Sequence, residues 1–297
     1  MKTVLHSISY AGLWRNQAFL PLKDFLVKAA TLGYDAVEIT CKRPHAGVLD
    51  LTTAIRKEIR DIIKENKLEC AAMAAYTNFS AGAGSAFIPI NEMQLIYINE
   101  IIKLADEWDC RLIRIFTGYE EKNMSYFSQW EMCVKAIREC CRLAGPYGIK
   151  IGIQNHHDIA LDAETLAVFI NEVGEPNCVA MYDPWSLDVQ GLNPLTNIEK
   201  IYPKMVYTTL ADYKPLLRSH HRPGFGYERD MPVMRACAMG DGIIDNAGFL
   251  DGIFKLGYDG YVAYEMCADL EGGGHLENLD YCAKRFLDFR QIKEKLK

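Results

Sequence analysis

Eight short apolar, β-rich segments alternate with longer stretches of helical period along this chain, and that alternation restricts the fold more than any other feature. The segments are TVLHSIS from residue 3, DAVEIT from 35, ECAAMAAY from 69, RLIRIFT from 111, IKIGIQN from 149, VAMYD from 179, MVYTTL from 205 and GYVAYEM from 260. Helical stretches fall at 21–32, 52–66, 90–108, 128–145, 162–173, 247–256 and 276–296, with Ile55, Ile59, Ile62 and Ile63 on one face of the second. This is the pattern of a parallel sheet whose strands are joined by crossover helices. Eight strands with helices between them predict an α/β fold, a (β/α)8 TIM barrel, with a doubly wound open sheet as the alternative. At 297 residues the chain is close to the size of one barrel, so a single domain over 1–297 is expected. No linker, low-complexity tract or internal repeat interrupts it.

Composition narrows the partners. With 49% hydrophobic and 24% charged residues, a chain of this length can bury a large core. No apolar run reaches the roughly 18 residues of a membrane span, and the start MKTVLHSISYAGLW lacks the form of a secretory signal, so a cytoplasmic protein is expected. The net charge of −6, without a run of five basic residues, argues against nucleic acid as the ligand. Ten scattered cysteines without a CxxC pair read as buried thiols. A small molecule is the expected partner.

In such a barrel, chemistry sits where strands end and βα loops begin. All seven histidines (His6, His45, His156, His157, His220, His221 and His275) fall at or beyond the C-terminal side of a proposed strand. The carboxylates closing apolar runs are more telling: Glu38, Asp183, Asp212 and Glu265. A carboxylate at the end of a buried strand is costly unless it is paired, hydrogen-bonded or bound to a metal. Salt bridges to Lys42, Arg43 or Arg114 are one reading; convergence on an ion is the other. Oxygen-rich ligands with some imidazole suit Mg²⁺ or Mn²⁺ better than Zn²⁺. Such an ion could polarise a carbonyl and orient vicinal hydroxyls, which suits a sugar.

The stretches LGYDAVEI, IQNHHD and YDPW, and above all MGDGIIDNAGFLDGIFKLGYDGYVAYE, are similar to the xylose isomerase-like barrel superfamily, which includes sugar isomerases, ketose epimerases, inositol-pathway enzymes and endonuclease IV. The resemblance covers nearly the whole chain. It implies a metal held by Glu, Asp, His and Glu on strands five to eight, which correspond here to Gln154, Asp183, Thr209 and Glu265. Two of the four match. Gln154 still offers a carbonyl oxygen, but Thr209 is a poor replacement for imidazole, so the remaining ligand is sought in His221, His220, Asp212, His156 or water. Two-base epimerases of the superfamily use facing glutamates on strands five and eight, and Gln154 removes one of them. The phrases CKRPH, AAYTNF, IRIFTGYE, LADY, FGYE and YEMCADLEGGGHLENLDYCAKRFL further resemble the catalytic α subunits of C-glycoside deglycosidases. That likeness implies a metal-dependent lyase acting on a glycoside already oxidised at C3, beside a small β subunit. The superfamily's habit of dimers and tetramers implies a homo-oligomer.

The expected reaction is proton abstraction α to a carbonyl of a sugar or oxo-sugar, in the manner of an isomerase or epimerase, with Mn²⁺ first and Mg²⁺ or Zn²⁺ as alternatives. Gln154, Asp183, Glu265 and His221 would hold the ion. His156 is the expected general base, because an unperturbed imidazole titrates near neutrality. His221 or Glu38 would return a proton or protonate a departing aglycone. Trp14 and Trp185 are placed to stack on a sugar or an aromatic aglycone, with His157 and Arg222 as further substrate contacts. Two other classes compete. An endonuclease IV-like repair enzyme wants a denser ligand set and a basic face, which Thr209 and the acidic balance oppose. A non-catalytic sugar-binding or partner subunit would account directly for the missing ligands.

Overall fold

The computed structural model describes residues 1–81, 88–156 and 158–295, and every expected strand is present. These are β1 (Lys2–His6), β2 (Ala36–Thr40), β3 (Glu69–Ala74), β4 (Leu112–Ile115), β5 (Lys150–Gln154), β6 (Cys178–Met181), β7 (Met205–Leu210) and β8 (Tyr261–Tyr264). They pair in parallel and in chain order, and β8 closes against β1 with Lys2 opposite Tyr261 and Leu5 opposite Tyr264. The sheet is therefore a closed barrel, not the open alternative. Helices Leu22–Leu32, Thr53–Glu65, Ile90–Glu107, Tyr126–Ala144, Ala163–Val173, Asn246–Lys255 and Leu276–Lys295 lie within about two residues of the stretches read from periodicity. Thr52, Ser125 and Asp162 begin three of them by accepting backbone N–H bonds on their side chains.

Period two along the strands explains the interior. An apolar layer inside the barrel contains Val4, Ala36, Ala72, Leu112, Met181, Tyr207 and Ala263. Side chains two places apart share a face. The next inward positions are therefore His6, Glu38, Ala74, Arg114, Asp183, Thr209 and Glu265, all buried. A polar layer thus rests directly on an apolar plug, at the end where the strands finish. On β5 the corresponding pair is Gly152 and Gln154. A Cβ at Gly152 would meet Met181 Sδ at 2.6 Å and Leu112 Cδ1 at 3.0 Å, so the missing side chain makes room for two larger neighbours.

One element was not expected. After β7 the chain leaves the barrel as an arm, in which Tyr213–Leu216 pairs antiparallel with Val233–Ala236 and Ser219–Arg222 with Gly226–Arg229. Its tip turns at Pro223–Gly224, with Gly224 at φ +82° and Gly226 at φ +92°, a region that favours glycine. The cysteines form no disulfide; all are buried except Cys267, which is half-buried. No helix among the described residues is long and apolar enough to cross a membrane.

Candidate active site

The strand ends and their loops surround a cavity of about 830 Å³. Ile8, Trp14, Phe116, Trp185, Val189 and Met234 supply apolar wall, while Arg114, Gln154, His156 and Glu265 bring polar atoms to it. Glu38 and Asp183 are buried and do not line it.

Glu265, the residue after β8, is the carboxylate that opens on the cavity. Burial, and next the negative charge of Glu38, raise its pKa to about 7, against the opposing pull of Arg114. One oxygen lies 3.6 Å from the Cys267 thiol and the other 3.8 Å from Nε2 of His6. His6 is fixed by the turn that follows it, since Nδ1 accepts the Ile8 N–H at 3.2 Å. Burial, then Arg114, hold its pKa well below the usual value, so the ring is neutral and its proton sits on Nε2. That nitrogen stands between Glu265 and Glu38, 3.6 Å from the latter.

Arg114, at the end of β4, is the cation of the cluster. Its Nε lies 3.4 Å from Glu38 Oε1, and the Tyr207 hydroxyl donates to the other Glu38 oxygen at 2.8 Å. The guanidinium also rests against two aromatic rings, 4.1 Å from the centroid of Phe116 and 4.6 Å from that of Tyr76. Burial opposes its charge, but Tyr76, Glu38 and Glu265 outweigh that and keep it protonated. Among the described residues, Nη1 has no hydrogen-bond partner although it is buried. Lys42 lines the same cavity with its ammonium 3.7 Å over the Tyr76 ring.

The loop IQNHHD divides its work. Gln154 and His156 face the cavity, Asn155 joins β5 to β6 through Asp183 N–H at 2.6 Å, and Asp158 accepts the Glu120 N–H at 2.9 Å. His157 lies outside the described residues. The His156 ring packs 5.0 Å from Phe116 and 4.9 Å from Trp185. Burial there, then Arg114, lower its pKa to about 4. The premise that this imidazole titrates near neutrality therefore does not hold in the fold; Glu265 is the group that does. Trp14 and Trp185 both line the cavity.

The positions expected to hold a divalent ion do not together present a full ligand set for one. Asp183 accepts at both oxygens, from the Thr209 N–H at 2.6 Å and from the Gln154 amide. Gln154 turns its NH₂ group toward Asp183, so that of its two amide atoms only Oε1 remains to meet a cation. Burial, then Glu265, push the Asp183 carboxyl well above its usual range, toward the neutral acid. His6 has its lone pair on Nδ1, committed to Ile8. Among the described residues, no group of three His, Cys, Asp or Glu side chains is placed to hold a metal. The expected Mn²⁺, and Mg²⁺ or Zn²⁺ behind it, do not fit this donor set.

Other expected residues are placed elsewhere. His221 and Arg222 sit on the exposed arm, with the His221 ring against Tyr227 and Arg222 bonded to Glu228 at 2.7 Å, and neither lines the cavity. Placing them after strand seven in sequence did not allow for the arm. His220 shares that arm, 2.7 Å from Asp230. Asp212 is instead a loop anchor, accepting the N–H groups of Tyr213, Gly240, Gly242 and Ile244. For Glu38, pairing with Arg114 is the reading the structure bears out. Conversely His6 was named only among the strand-end histidines and Arg114 only as a salt-bridge partner, although each lies two places beyond an apolar inward residue.

A family model described as a xylose isomerase-like TIM barrel matches residues 26–285. The chain belongs to that family. Within this xylose isomerase-like family, fructoselysine 3-epimerase of Escherichia coli O157:H7 is 22% identical over 255 residues, covering 83% of this chain and 86% of the relative. An uncharacterized protein of Methanocaldococcus jannaschii is also 22% identical over 255 residues, with 83% and 80% covered. Among solved structures, D-psicose 3-epimerase with D-tagatose from Clostridium cellulolyticum H10 superposes with a TM-score of 0.75 at 16% identity, covering 98% of this chain and 99% of that one. The probable 3-DHS dehydratase of petrobactin synthesis from Bacillus anthracis does so at 0.70 and 17%, covering 97% and 99%.

Proposed function

We propose that this protein is an enzyme of carbohydrate chemistry that removes a proton α to a carbonyl of a sugar or oxo-sugar, as an epimerase or isomerase does. The observation that carries this reading is the Glu265 carboxyl, open to the cavity and poised at about 7. A general base works best when its pKa lies near the working pH. Ionised Glu265 takes the α hydrogen as a proton, the C–H electron pair becomes the C=C bond, and the carbonyl π pair moves onto oxygen. The same carboxyl then holds the proton, which is returned to the same carbon for exchange or epimerisation, or to the neighbouring carbon for isomerisation, the hydroxyl proton then passing to the enolate oxygen as the new carbonyl forms. His156, neutral at this pH, offers a hydrogen bond to a substrate hydroxyl, and Trp14 and Trp185 flank the ring. The epimerase names among its relatives support the reading.

The test is solvent exchange. The protein is incubated in D₂O with D-fructose, D-tagatose, D-psicose and a 3-oxo-glucoside, and deuterium at the α carbon is followed by NMR. Exchange that disappears in Glu265→Gln is expected. Exchange unaffected by that substitution, or absent for all four compounds, overturns the proposal.

A second reading, cleavage of a 3-oxo-C-glycoside, is favoured by the size of the cavity. At about 830 Å³ with several aromatic walls it matches a drug-sized ligand, not one hexose ring. The α proton would leave in the same way; the enolate would re-form its carbonyl as the C=C bond to the anomeric carbon forms, and the pair of the broken bond would leave on the aglycone carbon, which takes the proton held by Glu265.

A further inference from the structure

We infer that the Arg114 guanidinium takes the electrostatic part that a divalent ion would play at this site, with Nη1 donating to the carbonyl oxygen that becomes the enolate. The inference rests on the proton-abstraction reading above and adds to it the source of positive charge. Abstraction next to a carbonyl places negative charge on one oxygen, and a fixed cation or donor aimed at that oxygen is the largest single aid such a site can give.

Three observations point to Arg114. Its side chain is 98% buried yet borders the cavity, and Nη1 has no hydrogen-bond partner among the described residues. The rest of the group is held: Nε faces Glu38, and the guanidinium rests against the Phe116 and Tyr76 rings. A donor held this way needs no reorganisation when charge appears. Finally, three of the residues at the positions where the family holds its ion bond to one another. Gln154 and Thr209 both donate to Asp183, and the His6 lone pair is spent on Ile8. Glu38 is thus a positioning residue, fixing the guanidinium at the edge of the cavity by holding Nε.

The decisive measurement uses the metal alone. The full chain, stripped with EDTA, is titrated with MnCl₂ by calorimetry and by electron paramagnetic resonance. No saturable binding of one ion per chain is expected; such binding overturns the inference whether or not any sugar turns over. The exchange assay supplies the second arm. Wild-type exchange should be unchanged in EDTA, and Arg114→Met should lose about 10²- to 10³-fold in kcat/KM, the usual cost of one such donor. Arg114→Lys, which keeps the charge but not the fork, should recover part of this. Should Arg114→Met fail to fold, Glu38→Gln with Arg114→Met removes both charges together and is expected to show the same loss. Exchange that requires added Mn²⁺ sinks the inference and leaves the proton-abstraction reading standing, whereas no exchange and no ion binding sinks both.

Discussion

Glu38 Oε1 stands 3.4 Å from Arg114 Nε, joining β2 to β4 over the intervening strand with both side chains sealed from solvent. A buried pair adds little over an apolar pair of the same shape, but removing one partner strands the other, at about 3–5 kcal/mol. Glu38→Leu should therefore lose about that much stability in urea unfolding. Glu38→Gln keeps an acceptor for Arg114 and the Tyr207 hydroxyl and should lose clearly less. Equal losses in the two variants would mean that Arg114 does not depend on this partner.

The pH dependence follows from Glu265. Its value is raised to about 7, so the base form is scarce below neutrality and complete above it. Exchange should rise as pH increases through about 7 and then level off. The neighbours act in opposite directions: Glu38 raises the value and Arg114 lowers it. The midpoint should accordingly move down in Glu38→Gln and up in Arg114→Lys only if the shorter ammonium withdraws from the carboxyl. A midpoint in the ordinary carboxylate range near 4 would show that Glu265 is not the titrating base.

The barrel was legible because its strands are apolar runs bounded by helices of clear period, and both signals are local. The arm was not. Its strands Ser219–Arg222 and Gly226–Arg229 are largely exposed, so no buried face imposes an apolar rhythm, and SHHRPGFGYER reads as a polar loop carrying imidazoles. That misreading moved His221 and Arg222 into the site. Counting carboxylates and histidines found Glu265 and His156 at the cavity, but not their charge states: burial and then Arg114 set that of His156, packed by Phe116 and Trp185, while burial and then Glu38, opposed by Arg114, set that of Glu265. Arg114 entered only as a salt-bridge partner. Counting two places from Leu112 or Val4 would have put Arg114 and His6 in the same layer as Glu265, because that step depends only on the pleat.

Gly152 tests the layered interior. A methyl group there would stand 2.6 Å from Met181 Sδ and 2.7 Å from Met181 Cγ, closer than packed carbon and sulfur allow. Gly152→Ala should cost about 1–3 kcal/mol, the usual penalty for overpacking a core. A second substitution, Met181→Ala, should recover part of that loss by clearing the same space. Additive losses in the double variant would place the two side chains out of contact.

Trp185 covers His156 at a ring distance of 4.9 Å and leans on Tyr213 at 5.4 Å. Burial is the first cause of the low His156 value, ahead of Arg114. Trp185→Ala should let water reach the imidazole and raise its pKa from about 4 toward the ordinary range, which NMR titration of the ring would read. The same substitution removes an aromatic wall. If the substrate carries an aromatic group beyond its sugar, affinity for an aryl C-glycoside should fall by about 0.5–1.5 kcal/mol, while affinity for D-fructose changes less. Equal losses for the two ligands would assign Trp185 to the sugar ring and withdraw the support that the cavity walls lend to the glycoside reading.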